Sequence, residues 1–153
     1  MIDPLGLAYI GAVLPLIGGV MGSTTGMKRA TSAGASVLAE DPAQFKNVLI
    51  LAALPMTQTF YGLIQMIYTL QAYIPGVEIT FARALGILAT GFIGFLAEWL
   101  SAWVQGIVCA SGISELPRTK GKNFMSTVIL AVYVELWGIL GIVFTILSYA
   151  LMG

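Results

Sequence analysis

The sequence predicts an all-α membrane protein: four transmembrane helices arranged as two duplicated helical hairpins. Three observations predict it. Only 9% of the 153 residues are charged and 58% are hydrophobic, whereas a soluble domain carries about a quarter charged residues. The apolar residues fall into four long runs. The charged and proline-marked stretches between those runs are short, as hairpin turns require.

Each run is long enough to span. Crossing a bilayer as a helix takes about 20 predominantly apolar residues. Leu5 to Met27 and Asn47 to Ile74 contain no charge, Ala84 to Ser114 contains only Glu98, and Asn123 to Gly153 contains only Glu135. The interruptions lie at Lys28 to Lys46, Pro75 to Arg83 and Glu115 to Lys122. Glu40-Asp41-Pro42 and Leu116-Pro117-Arg118 read as the turns of two hairpins. The organisation is therefore a first hairpin over 1–74, a loop over 75–83, and a second hairpin over 84–153 that carries Glu135. The opening Met-Ile-Asp-Pro has no basic segment ahead of the first apolar run, so that run is expected to stay in the protein.

Charge sets the expected orientation. Six of the seven basic residues (Lys28, Arg29, Lys46, Arg118, Lys120, Lys122) lie in the first and third connections. Positive-inside bias puts those connections in the cytoplasm, with both termini and the 75–83 loop outside. Composition also excludes whole classes of function. A net charge of zero argues against nucleic acid as a partner. Histidine is absent, which removes the commonest general base, the serine triads and most zinc sites. Cys109 is the single cysteine, so no disulfide or thiolate cluster forms within one chain.

Internal similarity points to duplication. Gly34 and Gly112 each precede an acidic, proline-containing turn, and Phe60-Tyr61-Gly62-Leu63-Ile64 resembles Ile139-Leu140-Gly141-Ile142-Val143. Small residues also recur every four positions. Gly18, Gly22, Gly26, Ala30 and Gly34 form one column in the first span. In the third, Gly94, Ala102, Gly106, Ala110 and Ser114 form another, with Glu98 in the remaining slot. Such columns let backbones approach closely in lipid. Their length predicts a ring of identical subunits whose inner wall is built from the first and third helices; packing inside a single bundle is the alternative.

A carboxylate at mid-membrane costs about 2.5–3.5 kcal/mol on insertion scales, so Glu135 is a functional-site candidate. Polar residues at its own depth are the test. Counted from the basic turns at a helical rise of about 1.5 Å per residue, Glu135 and Gln105 lie roughly 18 Å deep and Thr57 and Gln58 roughly 16 Å. Leu54, Thr57, Gln58 and Tyr61 share one helical face, and Pro55 loosens the helix beside them, freeing carbonyls. A carboxylate, amide oxygens, a hydroxyl and a carbonyl make an all-oxygen set that suits a hard cation. A proton needs only the carboxylate. The plain alternative is a hydrogen-bonded polar core with Glu135 protonated and inert.

Leu54-Pro55-Met56-Thr57-Gln58-Thr59-Phe60-Tyr61-Gly62, Val104-Gln105-Gly106 and Val134-Glu135 together resemble the proteolipid (K or c) subunit of sodium-pumping V-type ATPases. The resemblance covers nearly the whole chain. It implies a membrane rotor ring of many copies in the cell membrane of a prokaryote, each copy binding one Na+. The ligands it implies are the Leu54 carbonyl, the Thr57 hydroxyl, the Gln58 and Gln105 amide oxygens and the Glu135 carboxylate, with Tyr61 orienting Glu135. It further implies a stator membrane subunit and central-stalk subunits as partners. ATP chemistry is left to soluble subunits, because no Gly-x-x-x-x-Gly-Lys-[Ser/Thr] loop is present.

Two departures stand out. Leu136-Trp137-Gly138 follows Glu135 where the family usually has a threonine and a tyrosine, and Glu98 occupies a slot where a small residue is expected. Glu98 has three readings: a protonated residue hydrogen-bonded in the bundle, a residue facing the ring interior, or a ligand to a second cation. Three rival functions are open at this stage. They are the same ring carrying H+, a dimeric four-helix antiporter exchanging protons for cationic drugs, and a tetraspan protein without transport.

Overall fold

The computed structural model describes residues 3–152. Helix α1 (Pro4–Glu40) starts where Asp3 caps it, its carboxylate accepting from the backbone N–H groups of Leu5 at 3.1 Å and Gly6 at 3.0 Å. Pro4 supplies the preset first-turn geometry and lacks only an N–H that would have gone unpaired. The helix runs for 37 residues, about 55 Å and well beyond a hydrocarbon core of about 30 Å. Lys28 and Arg29, assigned from sequence to a connection, therefore sit on the helix itself. No proline interrupts the chain between them and Glu40, so the helix continues past the membrane boundary that their charges mark.

The second span (Pro42–Gly76) is segmented. A 3-10 turn at Pro42–Gln44 leads into α2 (Phe45–Ala53), and a second 3-10 turn at Leu54–Met56 precedes α3 (Thr57–Ile67). Pro55 is the physical cause of that break, since it has no N–H for the α-helical ladder. A π-helical turn (Tyr68–Tyr73) and a 3-10 turn (Ile74–Gly76) end the span. Thr80 caps α4 (Phe81–Ser114), so the expected 75–83 loop shrinks to the few residues between Gly76 and Phe81. The short α5 (Leu116–Thr119) then closes on Lys120 and Gly121, both left-handed at φ 53° and 78°. Glycine takes that conformation without the Cβ penalty that Lys120 bears. Helix α6 (Phe124–Leu151) completes four helices long and apolar enough to span a bilayer.

The small-residue columns meet each other. Methyl groups added to Gly18, Gly22 or Gly26 of α1 would strike the backbone of α4 at Phe95, Trp99 and Ala102, and one on Gly106 would strike the backbone of Gly26. Gly34 departs from the column and receives the Val48 side chain of α2. The columns thus bring the first and third spans of one subunit into backbone contact, which leaves the expected ring of copies untouched. Flat faces on both helices allow continuous backbone contact in place of side-chain interdigitation.

Along the bundle axis the core is layered. Leu51, Cys109, Ile113 and Leu116 pack at the end bearing the two basic turns, and Ala8, Ala12, Ile87, Tyr73 and Tyr149 pack at the end bearing the termini. Between these apolar plugs lie Gln58, Gln65, Glu98, Ser101 and Gln105, each at most 2% exposed. The apolar exterior includes Leu130, Tyr133, Trp137, Leu140 and Leu147 of α6.

Candidate functional site

The polar layer is built from three helices. Gln58 of α3 and Gln105 of α4 are fully buried. Gln58 Nε2 donates to Gln105 Oε1 at 3.1 Å and to Ser101 Oγ at 3.0 Å. Gln105 Nε2 in turn donates to the Ala131 carbonyl at 3.2 Å and to Glu135 Oε2 at 3.3 Å. The other carboxylate oxygen of Glu135 accepts from Tyr61 Oη at 2.8 Å. Side chains counted from the turns to a similar depth are thus joined in one connected network.

Pro55 shapes the opposite edge. The Thr57 hydroxyl donates to the Leu54 carbonyl at 3.0 Å and lies 3.1 Å from Gln58 Oε1. Leu54 O, Thr57 Oγ1 and Gln58 Oε1 thus form a cluster of oxygens beside the proline-induced turn. Glu135 is half-buried at the rim of the bundle, between the exposed Val132, Tyr133, Leu136 and Trp137. A carboxylate at the rim can be reached from the outer face of the molecule.

One carboxylate among neutral oxygens carries a single negative charge, which matches a monovalent hard cation. Among the described residues no cluster of three or more His, Cys, Asp or Glu side chains occurs, so the donors fit neither a zinc nor a multi-carboxylate calcium site. Leu54 O, Thr57 Oγ1, Gln58 Oε1, Gln105 Oε1 and the Glu135 carboxylate suit sodium by type. Turning the Gln105 oxygen toward Glu135 requires rotation of its amide, which gives up the bond from Gln58 Nε2 and the bond to the Ala131 carbonyl. Without that rotation the same atoms form a closed hydrogen-bonded relay.

Sequence reasoning missed several members. Ser101 bridges the site to α6, accepting from Gln58 and donating to the Val134 carbonyl at 2.9 Å. It lies four residues before Gln105, so helical spacing places both on one face. Gln65, one heptad after Gln58, begins a second polar layer with Glu98 and Thr145. Glu98 is fully buried among α3, α4 and α6, which settles that it faces the bundle.

Fold and site together define a membrane proteolipid of four spans, built from two copies of one hairpin, with the carboxylate of Glu135 joined to the Gln58–Gln105 network. The chain belongs to the ATP synthase C-subunit family, whose profile matches residues 10–69 and 88–148, one match per hairpin. The matches begin as far apart as Gly34 and Gly112, which is the duplication read from the sequence. The chain is 32% identical over 147 residues to the A-type ATP synthase subunit K of Methanocaldococcus jannaschii, covering 96% of this chain and 63% of that protein. It is 31% identical over 127 residues to the V-type sodium ATPase subunit K of Enterococcus hirae, covering 83% of this chain and 80% of that one. The chain thus spans less than two thirds of the length of the first of these relatives.

Proposed function

We propose that this chain is the ion-carrying member of the rotor ring of a V/A-type rotary ATPase, and that Glu135 carries sodium. The observation that supports this best is a single rim carboxylate held by Tyr61 and Gln105, with Gln105 linked through Gln58 to the oxygens of Thr57 and Leu54. Family membership and a sodium-ATPase relative support the same reading. Copies of the chain form the ring in the cell membrane, with the basic turns in the cytoplasm.

The mechanism follows from charge. With Glu135 ionised and sodium bound, the site is neutral overall and can turn past lipid. Once sodium leaves, a bare carboxylate in lipid costs several kcal/mol, of order 2.5 or more. It is tolerated only where a basic group on the stator pairs with it. Rotation is therefore coupled to loading on one side of the stator contact and release on the other. Central-stalk subunits connect the ring to the ATP-hydrolysing sector.

The same ring carrying protons is the second reading, and one observation favours it: Gln105 presents Nε2, not Oε1, to Glu135. Equilibrium binding of radioactive sodium to the purified ring separates the two. The sodium reading expects one saturable ion per subunit, lost in Glu135→Gln. Absence of saturable sodium in an intact ring would leave the proton reading.

A further inference from the structure

A second buried acid lies outside the Glu135 network. Glu98, midway along α4, has no solvent exposure. Its Oε1 meets one side-chain donor, Gln65 Nε2 of α3, at 2.5 Å, and its Oε2 has no hydrogen-bond partner among the described residues. Gln65 is itself 1% exposed, and its Oε1 accepts from Thr145 Oγ1 of α6 at 2.8 Å. Opposite the carboxyl group α6 presents Gly138 and Gly141, where a methyl group would collide with a Glu98 oxygen. The fold thus leaves room for this acid.

A buried carboxylate with one amide donor and an unpaired oxygen is untenable in a membrane as a bare anion. The groups that face it are few. Titratable neighbours are Tyr61 of α3 and Glu135 of α6, which bond to each other toward the basic end. Helix α1 contributes glycine backbone at this level, with Gly22 against the Glu98 carbonyl. Arg83 and Arg118, the basic residues flanking Glu98 in sequence, lie in the first turn and beyond the end of α4 respectively. Neutralisation must come from a bound cation.

A proton fits and a metal ion does not. A hard metal cation gathers about six or more oxygen ligands, whereas among the described residues the Glu98 carboxyl group has Gln65 as its hydrogen-bonding neighbour and an Oε2 with no polar partner. The 2.5 Å gap between Glu98 and Gln65 lies below the usual N–H···O range of about 2.7–3.2 Å and inside the O–H···O range of about 2.5–3.0 Å. It suits a carboxylic acid donating to the amide oxygen of Gln65. With the amide so turned, Nε2 faces Thr145 Oγ1, whose own hydrogen goes to the Gly141 carbonyl at 3.0 Å. The acid proton and the threonine hydrogen then each have an acceptor.

We infer that Glu98, Gln65 and Thr145 form a second intramembrane cation site in each subunit, whose ligand is a proton held whether or not the Glu135 site is filled. This does not rest on sodium at Glu135. Infrared spectroscopy of the intact purified ring at neutral pH and saturating sodium tests it, through the C=O stretch of a protonated carboxyl group. The Glu135→Gln ring should keep this band, and adding Glu98→Gln should abolish it. Sodium bound per subunit should be equal in the wild-type and Glu98→Gln rings. If Glu98→Gln does not assemble, Gln65→Met in the Glu135→Gln background should move the band by removing its acceptor. The inference is overturned by absence of the band in Glu135→Gln, by its persistence after Glu98→Gln, by a band that Gln65→Met leaves unmoved, or by loss of one sodium per subunit in Glu98→Gln.

Discussion

Replacing Gln105 with leucine isolates the contribution of the amide to ion binding. The side chain is fully buried and makes three hydrogen bonds: it accepts from Gln58 and donates to the Ala131 carbonyl and to Glu135. Leucine preserves most of the volume and removes all three. The Ala131 carbonyl keeps its place in the α6 ladder, and Gln58 Nε2 keeps Ser101, so the penalty concentrates at Glu135. A hydrogen bond or ligand contact to a charged group contributes about 1.5–3 kcal/mol, equivalent to roughly a 10- to 150-fold rise in the sodium concentration for half-saturation. The assay is a sodium titration of purified Gln105→Leu rings against wild type. An unchanged half-saturation in an assembled ring would refute the placement of Gln105 in the site.

Other expectations are more local. Gly106→Ala should destabilise the bundle by about 1–3 kcal/mol through overpacking against Gly26, whereas Gly76→Ala, with open space around it, should leave the thermal midpoint in place; equal midpoints would contradict the close contact of α1 and α4. Ser101→Ala should lower stability by about 0.5–1.5 kcal/mol, measured by thermal unfolding in detergent, and should weaken sodium binding less than Gln105→Leu does. Sodium half-saturation should rise as pH falls, because protons compete for the ionised carboxylate of Glu135. A pH-independent titration would place the ion elsewhere.

The spans and the central layer were legible because both rest on simple periodicities. Uncharged length fixes a transmembrane helix, and the rise per residue converts distance from a turn into depth, which brought Gln58, Gln105 and Glu135 to one level. The same arithmetic could not find Gln65, Ser101 or Thr145, whose roles depend on which faces of α3, α4 and α6 meet. Lys28 and Arg29 misplaced a boundary because charge marks where lipid ends, while α1 continues beyond it. The glycine columns announced close backbone approach, but small residues carry no label for their partner, and α1 meets α4 of its own chain. Glu98 was visible as an intramembrane acid, yet its neighbours, and with them its burial, came only from the fold.

Under the proposed function, Glu135 binds sodium in competition with protons. Carbodiimides attack protonated carboxyl groups, so modification of Glu135, located by mass spectrometry of the labelled peptide, reports which cation holds it. Sodium should protect Glu135, and protection should demand more sodium as pH falls, since coordination requires the ionised carboxylate. Modification of Glu135 that varies with pH but ignores sodium throughout would contradict the sodium site and identify a proton-carrying ring.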